Sequence, residues 1–236
     1  GVAVQGEGSK AVLSGNRIHK GSHAGVFVID KGSATLEDND IHSNAYSGVV
    51  VKGGQVILNG NRIHDGKHAG VMIDRSHSSE SEGKATLTNN AIFSNVLSGV
   101  HIVAGSTAKL CKNSIHGNKR HGVTVLGINS QSEAAQLEEN EIHSNIFGGV
   151  HIKGPGARAV VLSNRIFGNK GGGVIIKAKA KATLERNDIL SSSSCNGVSI
   201  LGGSDAILRS NRIYGSSDST TGRTLLVSSS SNPSRP

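Results

Sequence analysis

Histidine has the widest chemical scope of any side chain in this sequence, and its placement is regular. His19, His42, His64, His116 and His143 each follow an asparagine by three residues. Imidazoles at a repeated position invite a metal site, since zinc-type ions take histidine nitrogens. Phe93, Phe167, Leu190 and Tyr214 fill the same position in the other copies, however. The position asks for a flat or bulky group that stacks on its neighbour, so no metal ligand is assigned and no cofactor is expected. His101 and His151 occupy a different place, each directly after a Gly-Val pair. With Lys52, Lys153, Lys177 and Arg75 nearby in the pattern, they offer a general base and cations that could neutralise a neighbouring negative charge. Polysaccharide hydrolysis needs paired carboxylates instead. Asp30 and Asp74 are two repeats apart and have no third partner, which speaks against a hydrolase.

These residues are carried by a repeat. Asn16, Asn39, Asn61, Asn90, Asn113, Asn140, Asn164, Asn187 and Asn211 each have Leu or Val three residues before and Ile two after. A Gly-Val pair begins nine residues after most of them, as at Gly25, Gly48 and Gly99. Each unit reads A-x-L, N-x-I, G-V-x-I. Apolar residues at period two mean strands with alternate side chains inward. Three short strands in every 22–29 residues predict an all-β chain, a single-stranded right-handed parallel β-helix solenoid of about nine coils. The Asn column is expected to form an amide ladder at a corner with left-handed backbone. The Gly of Gly-Val is expected to supply a second positive-φ corner. Charges one residue after the Asn alternate in sign, as in Arg17, Asp40 and Arg62, which reads as a surface ladder rather than a phosphate track.

Alternation leaves one residue of each G-V-x-I strand pointing outward: Ala3, Phe27, Val50, Met72, His101, Thr124, His151, Ile175 and Ser199. Phe27, Val50 and Met72 are consecutive and predict an exposed apolar stripe that meets another protein. His101 and His151 continue the same column and complete the candidate binding face. No catalytic residue is assigned. Spare length collects between G-V-x-I and the next A-x-L, in loops at 75–83 and 127–133 read as tolerated insertions.

Composition limits the alternatives. The 236 residues hold 32 Gly and only 3% aromatics, so regularity must come from repetition. The formal charge of +8 favours acidic partners, but the cations are dispersed and lack interleaved aromatics, so nucleic acid is not expected. No apolar run is long enough to span a membrane. Cys111 and Cys195 fall about three coils apart, too far for a disulfide, and two thiols slightly favour an intracellular setting. Residues 1–227 are read as the β-helix and 228–236 as a Ser/Pro-rich disordered tail. The first strand starts without a cap, so a partner or further residues are expected over that end.

The repeat A-x-L-x-x-N-x-I-x-x-N…G-V-x-I resembles the pectate-lyase-like right-handed β-helix superfamily, in its carbohydrate-binding and sugar-hydrolase repeat group. Units such as Asn61-Arg62-Ile63-His64-Asp65-Gly66 and Asn39-Asp40-Ile41-His42-Ser43-Asn44 are most similar to the β-helix domains of F-box ubiquitin-ligase substrate receptors. In enzymes of that superfamily, catalysis sits on the outer face of one strand column, and the lyases often use calcium held by acidic residues, a cluster not seen here. The expectation is therefore a non-catalytic protein-interaction or scaffold module, part of a larger chain or assembly. A protein partner would cover the N-terminal end or the outer G-V-x-I face. The alternatives are a carbohydrate-active module, either a lyase or a binding face for an acidic polysaccharide, and the recognition domain of a ligase receptor.

Overall fold

The computed structural model describes residues 1–76, 78, 80–103, 105–127, 135–191, 195–215 and 225–228. Three short strands recur in each turn of the chain, beginning with Val2–Gln5, Lys10–Ser14 and Arg17–His19 and repeating as Val26–Ile29, Ser33–Glu37 and Asp40–His42. Every strand pairs in parallel with its counterpart one repeat later, which builds three sheets of ten, nine and nine strands among the described residues. The first sheet collects the G-V-x-I strands, the second the A-x-L strands and the third the N-x-I strands. The result is a parallel β-solenoid of about nine coils, as the repeat predicts. No helix long and apolar enough to cross a membrane occurs among the described residues. Most of the loop at 127–133, part of that at 75–83, and most of the tail lie outside the described residues.

Register follows from the period. Leu36 pairs with Leu58, Leu58 with Leu87 and Leu87 with Leu110, and Ile41, Ile63, Ile92 and Ile115 align likewise. All of these side chains are fully buried. Each such burial stabilises by roughly 1.5–3 kcal/mol. A slip of one residue would turn all of them outward, so the core fixes the register.

The asparagines line the corner into the third sheet. Asn113 is representative: its Oδ1 accepts from the Asn90 backbone N–H at 2.9 Å and from Asn90 Nδ2 at 3.0 Å. Its Nδ2 donates to Leu87 O and to Asn140 Oδ1, both at 2.9 Å. A parallel ladder runs through Asn95, Asn118, Asn145 and Asn169 at the next corner. The amides stand in for backbone pairing where the chain bends.

Two expectations about the corners need correction. The left-handed residue is the one before each Asn, as at Asp38, Asn89, Lys112, Glu139 and Ser163, with φ of 52–56°. The Asn itself turns inward and carries the ladder. The Gly of Gly-Val does not supply a positive φ; it is required by contact. A Cβ at Gly99 would sit 2.5 Å from Ile115 Cγ2 and 2.8 Å from Gly122 O. Gly48, Gly70 and Gly122 face the same pair of atoms from their neighbouring coils.

The histidine column stacks as expected. His19, His42, His64, Phe93, His116, His143 and Phe167 follow one another with ring centroids 4.6–5.1 Å apart and planes within 10°. The adjoining charges pair across coils, Arg17 with Asp40 at 3.9 Å and Arg165 with Glu141 at 3.0 Å. These pairs are exposed and each contributes about 0–1 kcal/mol. Cys111 and Cys195 are not joined; the Cys195 thiol donates to Lys170 O at 3.1 Å.

Candidate functional site on the outer face of the first sheet

The strands of the first sheet place the outward column in register. Phe27 pairs with Val50, Val50 with Met72, Met72 with His101, His101 with Thr124, Thr124 with His151 and His151 with Ile175. A second outward row lies two residues further along. It contains Lys52 beside Asp74, and Lys153 beside Lys177, as direct ladder partners.

The column is not the exposed stripe expected from alternation. Val50 retains only 5% of its surface, Thr124 4% and His151 8%, while Phe27, Met72 and His101 are half-buried. The cover comes from the turn that enters each strand. Its residue two before the Gly is His23, Tyr46, His68, Leu97, Arg120 or Phe147 in successive coils. Tyr46 stacks on His68 with centroids 4.3 Å apart, and its hydroxyl donates to Met72 Sδ at 3.7 Å. The column therefore forms the floor of a groove, walled on one side by these turns.

Two stretches of the groove differ. At the N-terminal end, Phe27, Val50 and Met72 floor a cavity of about 410 Å³ that Ala24, His23 and Tyr46 enclose, with Lys52 and Asp74 at its rim. Further along, from the coil of His101 to that of Ile175, the described residues of both outward rows and of the wall include no carboxylate. Arg120, Lys153 and Lys177 supply positive charge there, and three imidazoles, His101, His121 and His151, gather beside them, with His68 one coil before, in the coil of Asp74.

The imidazoles are held neutral. Burial pulls the pKa of His101 below its ordinary value, helped by His68 and Arg120 and opposed by Asp74. Burial also lowers His121 to about 4. His151 falls to about 3, first through burial and then through His121, Lys177, Lys153 and His101. His121 Nδ1 accepts the Gly148 backbone N–H at 3.0 Å. A neutral ring that accepts at Nδ1 carries its proton on Nε2, so this contact fixes the tautomer. The His121 and His151 rings are 4.4 Å apart, and the buried His151 Nε2 meets no hydrogen-bond partner among the described residues. Thr124, between His101 and His151, bonds to the Ser98 hydroxyl of the wall at 2.9 Å.

The sequence-selected residues are thus partly united. His101, His151, Lys153 and Lys177 share one stretch of the groove, and Phe27, Val50 and Met72 share the other. Lys52 belongs with Asp74 at the apolar end. Arg75 is exposed past the strand end, where its backbone N–H donates to Asp74 Oδ1 at 2.8 Å. Asp30 lies away from the floor, accepting the Ser76 and Ser78 hydroxyls at 2.6 and 2.8 Å. Sequence reasoning missed Tyr46, His68, Arg120, His121 and Phe147. The signal available was variability: in a chain where most columns repeat, the residues one and two before the Gly change from coil to coil.

No curated protein sequence matches the chain. Among solved structures, the periplasmic alginate epimerase AlgG is similar over 97% of this chain and 65% of its own, at 14% identity and a TM-score of 0.65. The A-module of the mannuronan C-5 epimerase AlgE4 from Azotobacter vinelandii is similar over 92% and 56%, at 16% identity and a TM-score of 0.57. A glycoside hydrolase matches over 84% and 39%, at 13% identity and a TM-score of 0.56. The chain spans 56–65% of the length of the two epimerases. At such identities the likeness establishes the fold. These neighbours are carbohydrate-active proteins, and with the groove that replaces the exposed stripe they overturn the reading of a non-catalytic interaction or scaffold module. The similarity to F-box receptors is not shown. The family described as Right handed beta helix region matches residues 1–127 and 111–234, and the chain belongs to it.

Proposed function

We propose that the groove on the first sheet is a carbohydrate-active face for an acidic polysaccharide. One observation carries the reading: Arg120, Lys153 and Lys177 and the neutral imidazoles of His101, His121 and His151 line the stretch from the coil of His101 to that of Ile175, whose described outward and wall residues include no carboxylate. Adjacent coils are about 4.8 Å apart, of the order of one sugar residue, so a polymer lying along the axis meets a new coil with each unit. Arg120, which acts on His101, neutralises the carboxylate of the sugar unit there, and Lys153 and Lys177 neutralise those of units two and three coils further along. A carboxylate so neutralised makes the neighbouring C–H more acidic, and an uncharged imidazole such as His101 can take that proton as a general base. The carbanion then either forms a double bond to the next carbon and expels its glycosidic oxygen, which takes a proton from solvent, as in a lyase, or takes a proton from solvent on the other face, as in an epimerase. The names of the structural neighbours support the substrate class.

The test is incubation of the protein with polyuronates in deuterated water. Deuterium entering at the carbon beside the carboxylate, or unsaturated ends accumulating, and both lost in His101→Ala, are the expected outcomes. Binding without either leaves a binding face alone and refutes the proton-transfer step. No salt-dependent binding at all refutes the reading.

A further inference from the structure

The apolar end of the groove has no task in the reading above, and its chemistry points to a second kind of sugar unit. Its floor is Phe27, Val50 and Met72, its wall is Tyr46, and the cavity is about 410 Å³. Lys52 and Asp74 are ladder partners at the rim, so the fixed charge there sums to zero, whereas Lys153 and Lys177 are like-charged partners. A bare carboxylate gains a cation at one end and loses water without compensation at the other. Met72 and His151 stand three coils apart in one unbroken column, which is about 14 Å. A chain of several sugars reaches both.

We infer that the cavity over Phe27, Val50 and Met72 is a subsite for an uncharged sugar unit bearing a small ester, so that the groove takes a partially esterified acidic polysaccharide. This deepens the proposed function and rests on it. Charge complementarity and continuity with the cationic stretch set the occupant. The ester methyl lies on the apolar floor, while the unmasked carboxylates of the same polymer meet Lys153 and Lys177. Methyl esters of the sugar acid and O-acetyl groups present the same chemistry, and the cavity is indifferent to which linkage carries the methyl.

The experiment is calorimetric titration of the full chain with length-matched polygalacturonate, partially methyl-esterified polygalacturonate and O-acetylated mannuronan. Burying one methyl group favours an esterified polymer about fourfold, and the preference persists at high salt, where the electrostatic part is screened. Met72→Gln and Tyr46→Ala should erase the preference, read within each protein as the ratio of its affinities for esterified and plain polygalacturonate. Tyr46 is exposed, so its truncation keeps the test usable if the change at Met72 disturbs folding. A preference for one ester only narrows the source to that linkage, and loss of that preference in the variants still supports the subsite. Equal affinity for plain and esterified polymers, or a preference that survives both variants, overturns the inference alone. If no polymer binds, the proposed function falls with it.

Discussion

The corner into the third sheet and the outer face of the first sheet are made by the same turns of chain, yet they vary in opposite ways. At the corner, Asn returns in every coil, each amide accepting from the coil before it and donating to the coil after. On the outer face, Phe27, Val50, Met72, His101, Thr124, His151 and Ile175 succeed one another in one register column without repeating a chemical type for long. A stacked solenoid satisfies its backbone once per coil by the same device, so the device must repeat. A ligand lying across several coils is recognised by differences between them. Repetition marks what holds the fold, and its absence marks where the fold is put to use.

Breaking the repeated side should cost most. Asn113→Val removes a buried amide and leaves the Asn90 N–H and the Leu87 carbonyl without partners. Two unsatisfied buried groups cost on the order of 4 kcal/mol. In a domain of this size that lowers the melting temperature by roughly 10 °C. Polymer affinity should stay within twofold. An unchanged melting temperature would show that the ladder is ornamental.

The variable side should instead reveal itself through pH. His151 is neutral in the folded chain down to about 3, whereas its unfolded value lies near 6.5. The unfolded state therefore binds the proton first, and stability is lost as pH falls below about 6.5, levelling off near the folded value. Between pH 7 and 5 this amounts to about 2 kcal/mol for His151, with His121 adding in the same direction. His151→Leu should flatten thermal melts measured across that interval. An equally steep profile in the variant would place the titrating groups elsewhere.

A smaller effect separates stacking from metal binding in the histidine column. His116 lies between Phe93 and His143, with centroids 5.1 and 4.8 Å away. His116→Ala should cost about 1 kcal/mol, from the loss of two ring contacts. His116→Phe should restore the melting temperature, because the site asks for a flat ring. A loss in both variants, recovered by added zinc in the parent alone, would restore the metal reading.

Much of the repeated side was legible in the sequence. Period two and the invariant spacing from Leu58 through Asn61 to Ile63 state which side chains point inward, and the register follows. Conformation at the corners was less legible. Asn tolerates a left-handed backbone, but so do the residues before it, and only the geometry shows that Lys112 and Glu139 take the strain while Asn113 and Asn140 bond inward. Gly99 reads in the sequence as a positive-φ corner and is instead a close contact with Ile115, a long-range fact that no local pattern contains. The outward column was read correctly as a column and wrongly as a surface. Alternation gives direction, not cover, and the cover comes from turn residues such as Tyr46 whose reach depends on the coil beneath. Lys153 and Lys177 were visible singly; their adjacency required the ladder.

In the proposed function the variable face holds an acidic polymer through its cationic stretch. The most direct measurement is polyuronate affinity against salt concentration for the parent chain and for Lys153→Ala/Lys177→Ala, with melting temperature as the control. Affinity in the parent should fall steeply as salt rises. The double variant should bind at least tenfold more weakly at low salt, with a shallower salt dependence and an unchanged melting temperature, as expected when exposed charges meet a polyanion. Equal affinity and equal salt dependence in the two proteins would contradict the account.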